Sequence, residues 1–139
     1  MVEEQEEEPI VLILLYETGV PVYSKNFIRS QEIDDMLVAG FISAINNFIH
    51  DAFGVSGYVD RIKHKENTIL IKHIESIFIC YVYKGESYAA SSKLERFIME
   101  INNSPILDYL QESEMITKGF SQSEINRVET MIENIFPAN

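Results

Sequence analysis

The side chains that could carry chemistry are few and poorly grouped. His50, His64 and His73 stand too far apart in sequence for a metal-ligand pattern. The one cysteine, Cys80, lies inside an apolar run, where a thiol acts as a small hydrophobe rather than a nucleophile. Asp60 and His73 lie on segments that could be neighbouring strands, and a surface ion pair is the expected result of their meeting. Glu32, Asp34 and Asp35 gather where a helix should begin. They could attract a cation, but acids at that place complement the helix dipole. Lys84-Gly-Glu-Ser87 lacks the Gly-x-x-x-x-Gly-Lys-Ser/Thr spacing that cradles nucleotide phosphates. Tyr58, Tyr81, Tyr83 and Tyr88 read as core and rim aromatics rather than a base-stacking platform. No metal, cofactor or catalytic group is expected, and the chain reads as a non-enzyme.

Function must then come from surface, and charge limits the partners. The 139 residues hold 22 Asp and Glu against 11 Lys and Arg, a net charge of −11. Nucleic-acid affinity draws on Lys and Arg, so this balance argues against a nucleic-acid partner. Five of the acids are Glu3, Glu4, Glu6, Glu7 and Glu8. Such a block repels itself, so residues 1–8 are expected to be a disordered acidic tail before a single domain over 9–136. No unbroken run of about 18 apolar residues occurs, so direct membrane insertion is not expected. The N-terminus carries Glu where a signal peptide carries Lys or Arg, and a single cysteine forms no disulfide framework. A cytoplasmic location is the expectation.

The elements that must present that surface follow from hydrophobic period. Ile10–Tyr16 and Ile77–Tyr83 are seven-residue apolar runs, the pattern of strands buried on both faces. Glu17-Thr-Gly-Val-Pro21 is a turn, with Gly19 at positive φ, leading into a shorter strand that forms a hairpin with the first. Ser30 is a candidate cap for a helix over about 31–52, whose apolar residues Ile33, Leu37, Phe41, Ala44, Ile45, Phe48, Ile49 and Ala52 recur every three or four positions. Gly40 falls on that apolar side, where close approach to a strand would explain it. After the Gly54–Gly57 link come a polar strand at 58–64, a turn at Lys65–Asn67, a strand at 68–73 and the second apolar run. Helices follow at about 87–102, from Ser104-Pro105, and after a Ser121-x-x-Glu124 capping box. The expected fold is α+β: a five-stranded antiparallel sheet between helical layers, in the order β-β-α-β-β-β-α-α, with the polar strand at an edge.

That order, with three local phrases, resembles the longin domain of the profilin-like longin/roadblock group. Leu15-Tyr-Glu-Thr-Gly-Val-Pro-Val-Tyr23 resembles the group's first hairpin. Met36–Phe48 resembles its platform helix, with small residues facing the sheet. Tyr81-Val-Tyr-Lys-Gly85 resembles the end of its last strand. The resemblance spans about residues 9–135. Roadblock domains usually place a helix before the first strand, and this sequence does not, so the longin branch is the nearer.

The resemblance implies a scaffold used in membrane trafficking or small-GTPase regulation. It would act by dimerisation with itself or with another longin- or roadblock-type subunit, and a small GTPase is a further possible partner. Stand-alone copies of this kind are an archaeal feature. Without a SNARE heptad region or a transmembrane tail after the last helix, a SNARE is not expected. The candidate interface is the polar edge strand, with Val59, Arg61, Ile62 and Lys63, joined by Asn46, Asn47 and His50 on the outward face of the first helix. The rival reading is a PAS-type small-molecule sensor, which would hollow out a cavity on one sheet face.

Overall fold

The computed structural model describes residues 7–28, 34–54, 59–85, 88–106, 108 and 120–136. The chain divides into two compact units. One is Glu8–Gly85, and the other joins Glu86–Asn139 with the N-terminal residues through Glu7.

The first unit is an antiparallel sheet with one helix. Its elements are β1 (Glu8–Tyr16), β2 (Pro21–Asn26), α1 (Asp35–Phe53), β3 (Arg61–His64), β4 (Asn67–Ile74) and β5 (Ile77–Lys84). Spatially the strands run β2-β1-β5-β4-β3. The two apolar runs, β1 and β5, are therefore neighbours inside the sheet, pairing Ile13 with Cys80 and Leu15 with Phe78. Both faces of these strands are filled. Ile13 and Leu15 on one side and Leu12 and Leu14 on the other are all fully buried. Each such side chain contributes ~1.5–3 kcal/mol through loss of water contact, which is why unbroken apolar runs sit here. Ile13, Leu15, Ile71, Phe78 and Cys80 form one core with Ala39 and Ile42 of α1.

Turn chemistry fixes the register. Gly19 has φ 93, and its amide closes the β1–β2 turn onto the Tyr16 carbonyl. The β3–β4 and β4–β5 turns are two residues long, with Lys65 and Glu75 at positive φ. Positive φ at the head of a two-residue loop matches the right-handed twist of the strands it joins. The polar strand β3 lies at a sheet edge as its composition required. Its ladder begins at Arg61, while the Asp60 carbonyl accepts from Ile71 N–H.

Helix α1 starts later than its periodicity suggested. Its cap is Asp34, whose carboxylate accepts from the amides of Met36 and Leu37; Ser30 lies outside the described residues. Gly54 ends it in the left-handed conformation, φ 63. The link from 55 to 58 lies outside the described residues.

The second unit pairs α2 (Tyr88–Asn102) with α3 (Gln122–Ile135). Leu94, Phe97 and Ile101 of α2 and Val128, Ile132 and Ile135 of α3 are buried. The rings of Phe97 and Phe136 meet edge to face, centroids 6.0 Å apart. Ser121 caps α3 by accepting from Glu124 N–H. After α2 the Ser104 hydroxyl donates to the Ile101 carbonyl, which closes the helix end. Residues 107 and 109–119, past the helical start expected at Ser104-Pro105, lie outside the described residues.

Two residues of the expected tail, Glu7 and Glu8, are placed by the structure. Residues 1–6 lie outside the described residues, but Glu8 opens β1 and Glu7 is buried. Lys93 Nζ donates to Glu7 Oε1 at 2.7 Å, and this ion pair holds the acid against α2. Like charges in a row favour a solvated tail only until one of them finds a cation.

Candidate functional site: the outward face of α1 and the β3 edge

Helix α1 has apolar residues all round, so its period alone does not say which face packs. The sheet side takes Ala39, Ile42, Ser43 and Asn46, all buried. Two of these are polar because the sheet side offers them backbone partners. The Ser43 hydroxyl donates to the Glu17 carbonyl at 2.9 Å, which ties α1 to the end of β1. Asn46 Nδ2 donates to the Ile42 carbonyl at 3.1 Å, and its Oδ1 accepts from Val59 N–H at 2.8 Å, just before β3. These bonds satisfy groups that would be costly to bury unpaired.

The larger apolar side chains are left outward. Leu37 is 71% exposed, Phe41 49%, Phe48 64%, Met36 68% and Phe53 67%. Leu37, Phe41, Ala44 and Phe48 fall at i, i+4, i+7 and i+11, one continuous stripe along the helix. Gly40 and Ala44 are small, exposed members of it. A Cβ added at Gly40 would meet nothing within 4 Å. Gly40 therefore does not serve close approach to a strand. That service belongs to Gly19, where an added Cβ would lie 3.1 Å from Ser43 Cβ.

This placement revises the expected interface. Asn46 is not on the outward face: it is buried as the link between α1 and residue 59. Asn47 and His50 are both exposed, but only Asn47 flanks the apolar stripe, whereas His50 falls in line with Ser43 and Asn46 near the helix end. On and before β3, Arg61 and Lys63 are exposed, and Val59 and Ile62 are half-buried against the sheet core. Asn46 thus joins the two candidate surfaces from beneath, within one unit. The stripe of Leu37, Phe41 and Phe48, expected to be core, is the surface the sequence reading missed. The signal available was the pair Ser43 and Asn46, spaced to share the opposite face.

The groups that could do chemistry stay apart. His73 pairs with Glu17, not with Asp60. No group of three His, Cys, Asp or Glu among the described residues could hold a metal ion. Burial pushes the Cys80 thiol up to about 12 from 9.0. We expect Cys80 to resist a thiol reagent at pH 8 while the chain is folded and to react once denatured; rapid labelling of the native chain would refute this. Because the folded state keeps a proton that the unfolded thiol has lost, this group lowers stability as pH rises from 9 toward 12.

Comparison with solved structures places the architecture. A roadblock/LC7 domain from Streptomyces avermitilis superimposes with a TM-score of 0.55 over 76% of this chain and 88% of that one, at 14% sequence identity. The fold is the roadblock/longin fold. No family model and no curated protein matches the sequence. The structural match is to a roadblock/LC7 domain, whereas the sequence reading placed the chain nearer the longin side.

Proposed function

We propose that the chain is a non-enzymatic, cytoplasmic interaction subunit. It works as a longin- or roadblock-type adaptor, or as the regulatory partner of a small GTPase, by pairing through the outward face of α1 and the β3 edge. The partner is another subunit of this fold or the chain itself. The observation that carries this reading is the apolar stripe of α1. Soluble proteins seldom leave several large apolar side chains contiguous in water, and where they do the patch marks an interaction site. The β3 edge beside it adds the terminal strand of the sheet, which a partner's strand can extend. A cavity-based sensor is less well supported, because apolar side chains fill both faces of β1 and β5.

By length and composition Met36–Phe53 could cross a membrane. Its buried Ser43 and Asn46, each bonded to the backbone, support instead a helix that belongs to the sheet unit.

The test uses the chain and its Phe41→Asp/Phe48→Asp variant. Mass in solution is measured by light scattering. Capture of roadblock- and longin-type subunits, and of small GTPases loaded with GDP or a GTP analogue, is measured in parallel. Two aromatic anchors lost from an interface should weaken pairing by roughly 100-fold or more. Thermal stability should hardly change, because both residues are largely exposed. A strictly monomeric chain that captures none of these partners, or a variant that pairs as well as the parent, would sink the proposal.

A further inference from the structure

The charges at the two ends of the α1 stripe say which kind of partner fits. This step rests on the reading of α1 as a docking face. The large residues run from Leu37 to Phe48. Asp34 lies three residues before the first and Asp51 three residues after the last, and both are exposed. From 34 to 53 there is no Lys or Arg. The stripe is therefore apolar in the middle and acidic at both ends.

That symmetry works against a second copy. In an antiparallel pairing centred on the stripe, Asp34 of one copy faces Asp51 of the other at each end. In a parallel pairing, each aspartate faces its own counterpart. Either way acid meets acid twice, and like charges opposed at an interface disfavour that partner. The Asp51 end weighs more, since it lies at the negative end of the helix dipole, whereas Asp34 caps the positive end.

We infer that α1 accepts an unlike partner: an amphipathic helix with an apolar stripe and Lys or Arg at both ends. Gly40 and Ala44 give such a helix a shallow place to approach, with Phe41 and Phe48 beside it. Anionic lipid is a poorer occupant, because α1 offers it no cation.

Two synthetic helices of about 20 residues, each with a leucine stripe, test this. One ends in lysines and the other in glutamates, and binding to the full chain is followed by fluorescence anisotropy. The lysine-ended helix should bind about tenfold tighter at 50 mM NaCl, with the gap shrinking at 500 mM. Asp34→Asn/Asp51→Asn should close the gap while keeping the cap, since Asn also caps. Phe41→Asp should weaken both helices, which separates docking from mere attraction to an acidic protein.

Equal binding of the two helices, both lost in Phe41→Asp, would overturn the charge selection and leave docking on α1 intact. A Phe41-dependent homodimer tighter than the lysine-ended complex would overturn it too. So would Phe41-dependent flotation with phosphatidylcholine or phosphatidylglycerol vesicles. Binding of neither helix would overturn both this inference and the reading it rests on.

Discussion

Lys93→Ala is expected to destabilise the chain by about 3 kcal/mol, seen as a fall of roughly 10 °C in the unfolding midpoint. Glu7 is fully buried at its side chain, and Lys93 is only 19% exposed at its own. Removing the ammonium takes the Lys93 cation from a carboxylate buried away from water, and that penalty exceeds what the pair gained by forming. The double variant Glu7→Leu/Lys93→Leu should recover most of the loss, because two apolar groups need no mutual compensation. If Lys93→Ala costs under 1 kcal/mol, Glu7 does not sit in a low-dielectric site. The same measurement tells an acidic tail from an anchored segment, since a solvated Glu7 would not notice the change.

The second large effect is a contrast between two glycines. Gly40→Ala should raise stability by about 1 kcal/mol, because an exposed helix interior gains propensity and the new Cβ meets nothing. Gly19→Ala should lower it by about 2 kcal/mol. Its φ of 93 strains any L side chain, and the Cβ would press on Ser43 at 3.1 Å. That pressure falls on the hydroxyl bond from Ser43 to Glu17, which holds α1 to the sheet. Chemical denaturation of both variants checks the pair. Effects of equal sign would mean that Gly40, not Gly19, faces a packed neighbour.

These two glycines show where sequence reading succeeds and where it stops. Gly19 was legible because a turn between two strands needs positive φ, a requirement local to five residues. The packing side of Gly40 was not legible, because it depends on which face of α1 the sheet accepts. The interface shows the same division. Arg61 and Lys63 at a sheet edge follow from a polar strand with nowhere else to go. Asn46 was misplaced because an amide on a helix reads as outward until a backbone donor, here Val59 N–H, is brought to it. His73 likewise found Glu17 and not Asp60, since the strand order rather than the spacing chose its neighbour.

The sequence by itself determined the elements, their order, the antiparallel sheet and the lack of a metal or phosphate motif. Those follow from residue period and turn chemistry, which act over a few residues. Only the tertiary structure decided that Leu37, Phe41 and Phe48 of α1 face outward and that Ser43 and Asn46 face in. An apolar helix with two usable faces packs on the one whose polar groups find partners, and those partners come from Glu17 and Val59, distant in the chain. That choice turned what period alone assigned to the core into the surface on which a partner would dock.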